Sequence, residues 1–260
     1  MSLQLNDVTN LRGITQVYEK EIGVERGYIS GNTNRFKEFV ADVNLAWDDY
    51  VPLAFKSSGS RQFDDSNHLE EPFIEADLVA NQRDYHFITD EQGNLILDVY
   101  KVMVKNPSGV YEEVTAIDQQ RRGQGASIWN GQDDTGVPIT YDKTGNGIIF
   151  DVLPNYSWRN GTENEYGIKM FINREASYFT TSDTTKKPGC PGIHHRYFAL
   201  KPALDYARQH QLSNYNLIRE EVVSYEGDEE KGIQGSIERY FARRNRDERA
   251  IITPKKINYI

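Results

Sequence analysis

The chain has 260 residues, 38% of them hydrophobic and 27% charged, and a net charge of −9. That length allows one large domain or a smaller one carrying an insertion. No run of about 18 apolar residues is present, which excludes a membrane-spanning helix, and the single cysteine, Cys190, excludes an internal disulfide and points to a reducing compartment.

The start, Met1 to Asp7, lacks the basic and apolar regions of a secretory signal. The Asn160-Gly161-Thr162 sequon therefore reads as an accident of loop composition. From Val8 to Ile22 the spacing of Leu11, Ile14, Tyr18 and Ile22 predicts a helix that Gly23 stops. Asn32-Thr33-Asn34 predicts the N-terminal cap of a stronger helix, whose apolar face is Phe36, Phe39, Val40, Val43, Trp47, Tyr50 and Val51, with Pro52 near its end. Lys56 to Arg61 reads as a linker. From Phe73 the pattern changes to short strands separated by turn residues. These are Leu78-Val79, Tyr85 to Ile88, Leu95 to Val104, Val110 to Ile117, a hairpin of Val137 to Tyr141 with Ile148 to Leu153, and Tyr166 to Arg174. The segment Gln119 to Gly136 is too long for a tight connection. Strands at this spacing predict an antiparallel sandwich or barrel. Helical periodicity returns with Ile193, Tyr197, Leu200, Leu204 and Ala207, interrupted by Pro202, which should kink or restart that helix. A last helix opens at Asn214 and keeps one apolar phase through Ile218, Val222, Tyr225, Ile233, Ile237, Tyr240 and Phe241, with a possible break at Glu226 to Gly232. Beyond Pro254 only an extended Lys255 to Ile260 is possible. The expected fold class is α+β: a helical bundle formed by residues 1–60 and 181–248, an inserted antiparallel β-sandwich or barrel over 61–180, and an extended C-terminal arm over 249–260.

Charge is unevenly placed. From Ser236 to Ile260 the bases Arg239, Arg243, Arg244, Arg246, Arg249, Lys255 and Lys256 outnumber Glu238, Asp247 and Glu248, giving +4 against −13 for the rest of the chain. A basic segment on an acidic body suggests an arm that docks on something acidic, or simply a solvated helix end. Nucleic-acid binding by Arg239 to Arg249 conflicts with Tyr240 and Phe241 keeping the helix's apolar phase and with the acidic whole.

The sequence offers no phosphate loop, dinucleotide fingerprint or serine elbow, and Gly123-Gln124-Gly125 is too short to count. Cys190, His194 and His195 could form a metal or thiol site, but adjacent histidines point apart and a fourth ligand is missing; a helix-entry turn is the competing reading. The pairs Asp64-Asp65 and Asp133-Asp134 lack the spaced oxygen series that calcium needs. Trp129 and Trp158 could stack on sugars, as in a carbohydrate-binding module of a virion or surface protein, or pack a core or interface. No catalytic residue, cofactor or metal ligand is assigned, and the chain reads as a non-enzyme. A metal-dependent enzyme centred on Cys190, His194 and His195 is the second alternative.

Three stretches share an order with a known family. Leu78-Val79-Ala80-Asn81-Gln82-Arg83-Asp84-Tyr85 leads into the strands. Ser182-Asp183-Thr184-Thr185, with Pro188-Gly189 and Pro191-Gly192-Ile193-His194, leads back to helix, and Leu200 to Tyr206 is rich in small and apolar residues. Taken in order from Leu11 to Arg249, the chain resembles the head-to-tail adaptor proteins of tailed bacteriophages, the tail tubular protein A-like and head-completion families. It departs from them at Pro202 and in the long Gln119 to Gly136 segment. The resemblance implies a ring of about twelve copies under the portal, in the neck of the virion, assembled in the host cytoplasm. The bundle would line the DNA channel without sequence-specific binding, the β domain would face the next neck or tail protein, and the arm would climb onto the portal protein. Arg243, Arg244, Arg246, Arg249, Lys255 and Lys256 would then meet portal carboxylates, and Ile257, Tyr259 and Ile260 would anchor in apolar grooves.

Overall fold

The computed structural model describes residues 2–56, 63–117, 134–159, 165–228 and 230–244. The chain forms two units, Glu70–Glu175 and Met1–Leu69 with Ala176–Ile260. Among the described residues the fold is α+β, with five helices and a curled, mixed β-sheet half-barrel. Among the described residues no helix is long and apolar enough to cross a membrane.

The strands of the first unit are β1 (Phe73–Ala76), β2 (Asp84–His86), β3 (Ile96–Lys105), β4 (Tyr111–Ala116), β5 (Thr135–Gly136), β6 (Thr140–Thr144), β7 (Gly147–Phe150), β8 (Leu153–Pro154) and β9 (Ile168–Arg174). Seven of them make one sheet in the order β1-β9-β3-β4-β6-β7-β2, and β5 pairs with β8 apart from it. This corrects the expected antiparallel sandwich or barrel: there is a single main sheet, and β4 and β6 pair in parallel, Thr115 opposite Thr140. The reason lies in the connection. A hairpin turn joins antiparallel neighbours, whereas the chain from Ile117 to Ile139 is long enough for the crossover that parallel pairing requires. The β6–β7 turn is tight and gives the expected antiparallel hairpin, with Thr144 opposite Gly147. Alternation places Val102 and Val104 of β3 and Ile168, Met170 and Ile172 of β9 in one core with Ile74, Leu78, Tyr85, Tyr141 and Phe150. A bulge in β3 sets both Tyr100 and Lys101 beside Phe171.

The second unit holds α1 (Ile14–Glu21), α2 (Thr33–Lys56), α3 (Tyr197–Gln209), α4 (Tyr215–Glu226) and α5 (Ser236–Arg244), with a small hairpin of β10 (Gly227–Asp228) and β11 (Ile233–Gln234) between the last two helices. The cap of α2 forms as its sequence suggests: Asn32 Oδ1 accepts the amides of Asn34 and Arg35 at 3.1 and 3.2 Å. Every member of its expected apolar face is buried. Two helix starts differ from expectation. α1 starts only at Ile14, because residues 3–6 are drawn into another pairing: the amides of Leu5 and Asn6 donate to the carbonyls of Lys186 and Thr184, both at 2.8 Å. α3 starts at Tyr197 and runs through Pro202 as one helix, while Ile193 lies in the preceding turn and is exposed. The possible break after α4 is real, since Gly227 takes φ +95°, a conformation that favours glycine.

One buried charge braces this unit. Glu19, 1% exposed, accepts amides from Gly27, Ile29 and Ser30 at 3.0, 2.9 and 3.2 Å and so fixes the turn between α1 and α2. Glu19→Ala leaves these donors without their acceptor and is expected to cost about 2–3 kcal/mol in urea unfolding; a loss below about 0.5 kcal/mol would contradict that role.

Candidate functional site

The segment 177–196 that enters α3 is a brace built largely from polar contacts. Asp183 Oδ2 accepts the amide and hydroxyl of Thr180 at 2.7 and 2.8 Å. Lys186 Nζ donates to the Tyr178 carbonyl at 2.7 Å and the Ser177 hydroxyl at 3.0 Å. Asp65 accepts the amides of Asn67 and Ser177 at 2.8 and 3.2 Å. Burial still raises the Asp65 carboxyl's pKa, although those bonds oppose the shift. The Asp64-Asp65 pair is thus a loop anchor through its second member.

Cys190, His194 and His195 are brought into one neighbourhood, each engaged by the fold. His195 Nε2–H donates to the Cys190 carbonyl at 3.0 Å, which leaves Nδ1 to accept the Leu3 amide at 2.9 Å and pin the N-terminal segment. His194 Nδ1 meets the Tyr50 hydroxyl at 2.8 Å. The same hydroxyl contacts the Cys190 thiol, whose pKa burial raises well above its usual value. A thiol held protonated is a poor nucleophile. His194 is 1% exposed, and burial, then its neighbour His195, pulls its pKa down to about 4. Among the described residues, no group of three or more His, Cys, Asp or Glu side chains is placed to hold a metal ion. The arrangement therefore supports a structural role for all three residues.

His194 sits inside an aromatic box. Tyr50 of α2, Tyr225 of α4, and Tyr240 and Phe241 of α5 have ring centroids 5.7, 6.4, 5.3 and 6.4 Å from it. Its Nε2 is buried and meets no partner among the described residues. Sequence reasoning noticed His194 as a metal candidate and Tyr50 as a core residue, but not their pairing, which joins positions 144 apart in the chain.

In the sheet unit the Leu78–Tyr85 stretch is a clasp. Leu78 and Trp158 exchange backbone bonds at 2.9 Å, and Tyr85 Oη accepts the Val79 amide at 3.0 Å. Trp158 is half-buried, donates to the Asn106 carbonyl at 3.1 Å and stacks with Lys105, 4.9 Å from its ring. It packs against the core of the sheet.

Of the basic and apolar arm residues, Arg243 lies exposed near the end of α5. Arg244 closes that helix, and its side chain lies outside the described residues, as do Arg246, Arg249, Lys255, Lys256, Ile257, Tyr259 and Ile260. Gly123 to Gly125, Trp129, Asp133 and the Asn160-Gly161-Thr162 sequon also lie outside them.

The two units differ in charge. Glu70 to Glu175 carries eighteen acidic and nine basic residues and holds the whole net charge of −9, whereas the remainder of the chain is balanced at twenty-one of each. Compared with known proteins, the sequence matches no family model and no curated protein.

Proposed function

We propose that this protein is a structural head-to-tail adaptor of a tailed phage, forming a ring of about twelve copies between the portal and the next neck or tail component. The observation that carries this reading is the architecture: a β unit, Glu70–Glu175, is inserted into a helical unit made from both ends of the chain. The helical unit ends in α5, which leads into the basic, apolar-tipped segment 245–260. In this reading the helical unit forms the wall of a DNA channel, and the β unit faces the next tail protein. The extended C-terminal arm docks on the portal through Arg243, Arg244, Arg246, Arg249, Lys255 and Lys256, with Ile257, Tyr259 and Ile260 as apolar anchors.

Two physical features support the assignment. Cys190, His194 and His195 are engaged in holding the N-terminal segment, α2 and α5, which favours a scaffold over a catalyst. The solvent side of α2 carries Glu38, Asp42 and Asp48, with Asp49 beside them paired to Lys201 at 3.0 Å, and partial desolvation followed by nearby Asp205 and Glu38 raises the Asp42 pKa. An acidic stripe of this kind repels phosphate and suits a wall along which duplex DNA slides.

The arm assignment makes its own prediction. Deleting Pro254 to Ile260 is expected to weaken binding of the full protein to the portal protein of the same particle by at least about tenfold, measured by surface plasmon resonance, since anchor residues dominate such interfaces. Unchanged affinity would remove the terminal arm from the interface.

A further inference from the structure

We propose that His194 is a pH-operated latch that holds α5 in place while its ring is neutral and releases α5 when the ring is protonated. The geometry concerns the chain alone and does not rest on the adaptor reading.

The latch has three parts. The first is the box: His194 is 1% exposed, its Nδ1 faces one hydroxyl, and its Nε2 faces none of the described polar groups. The groups facing the ring are Tyr50 from α2, whose hydroxyl also meets the Cys190 thiol, His195 from its own loop, Tyr225 from α4, and Tyr240 and Phe241 from α5. None of them is a carboxylate. The nearby acids are already engaged: Glu226 accepts from Tyr197 Oη and Lys201 Nζ at 2.8 and 2.6 Å, and Asp65 accepts the amides of Asn67 and Ser177. An imidazolium in this box would be a buried cation without a counter-charge, which is strongly disfavoured.

The second part is the movable wall. Tyr240 and Phe241 close one side of the box, Phe241 also meeting Tyr50 and Phe63, and among the described side chains of α5 one more, Ile237, is buried. By contrast α2 buries nine residues and α3 seven, and α4, which buries only Ile218 and Val222, is cross-braced to α3 and its entry by Glu221 with Arg196 at 2.6 Å and by Glu226 with Tyr197 and Lys201 at 2.8 and 2.6 Å. The wall that yields at least cost is therefore α5. The third part is the hinge. Between α4 and α5 the connection is a hairpin of only two residue pairs, Gly227 with Gln234 and Asp228 with Ile233, so little pairing has to give for α5 to move.

The sign follows from linkage. His194 binds a proton less readily when α5 is docked, so docking is strongest above the ordinary histidine value of 6.5 and weakens as pH falls from there towards about 4. At about pH 5 that difference sets an upper limit of about 30-fold on the loss in the docking constant relative to pH 7.5, reached when release of α5 returns the ring fully to solvent.

Hydrogen exchange of the full chain, corrected for intrinsic rates, tests the latch near pH 7.5 and near pH 5. Residues 236–244 are expected to lose protection at the lower pH, by up to about 30-fold, while α2 keeps its own. His194→Phe and His194→Gln are expected to abolish that pH dependence. Equal protection of α5 at both pH values, parallel loss in α2, or persistence of the effect in a folded variant would overturn the proposal. Should both variants fail to fold, carbon-13 histidine NMR of the natural sequence decides instead. Titration of His194 together with loss of α5 protection supports the latch, and titration with α5 still protected overturns it.

Discussion

Replacing Arg174 with Met is expected to destabilise the sheet unit by about 3–5 kcal/mol, because it leaves a buried carboxylate without its cation. Arg174 and Asp90 are each 1% exposed at the side chain, and Nη1 meets Oδ2 at 3.2 Å. Arg174 Nη2 also donates to the Glu70 carbonyl. Asp90 accepts further bonds from the amides of Gln92 and Asn94 and from Asn94 Nδ2, at 3.0, 2.7 and 2.7 Å. Burial alone would raise the Asp90 pKa, but the bonds from Asn94 and Arg174 outweigh it and lower the value. The pair thus ties the end of β9 to the turn before β3. Its stabilisation is present above the ordinary carboxylate pKa and is lost as pH falls through the lowered one. Hydrogen exchange over β3 and β9 measures the effect within this unit. A loss below about 1 kcal/mol would mean that the remaining donors suffice to hold Asp90.

Trp47→Ala is expected to cost about 3–5 kcal/mol in the helical unit, by opening a cavity where α2 meets α3. Trp47 is fully buried, 4.4 Å from the Phe198 ring, 5.4 Å from Tyr50 and 6.0 Å from Phe63. Because Tyr50 also carries the bond to His194, the cavity should loosen the aromatic box as well as the core. The indole Nε1 meets no hydrogen-bond partner among the described residues. Trp47→Phe removes that buried donor along with part of the ring, so its cost is expected to stay below about 1.5 kcal/mol. Urea unfolding of the two variants separates volume from polarity. Equal losses would show that the cavity does not govern the effect.

Much of the local structure was legible because local chemistry decides it. The cap at Asn32, the buried face of α2 and the β6–β7 hairpin follow from spacing and turn residues within a few positions. The errors occur where distant chain segments compete. Leu11 is in phase with Ile14, yet it is exposed, because the Leu5 and Asn6 amides pair with the 184–186 segment and carry the chain past any first helical turn. Ile193 is in phase with Tyr197, yet it lies in the turn fixed by His194 and His195. Short strands at turn spacing point to antiparallel neighbours, whereas the parallel β4–β6 contact depends on a connection of more than twenty residues. The Arg174–Asp90 and Tyr50–His194 partnerships span 84 and 144 residues, and nothing in the flanking sequence marks them.

The adaptor reading rests on an assembly, and native mass spectrometry of the full chain, alone and mixed with the portal protein of the same particle, tests it most directly. The account predicts a portal-bound ring of about a dozen copies. A mixture in which the chain and the portal protein remain separate at micromolar concentrations would contradict it.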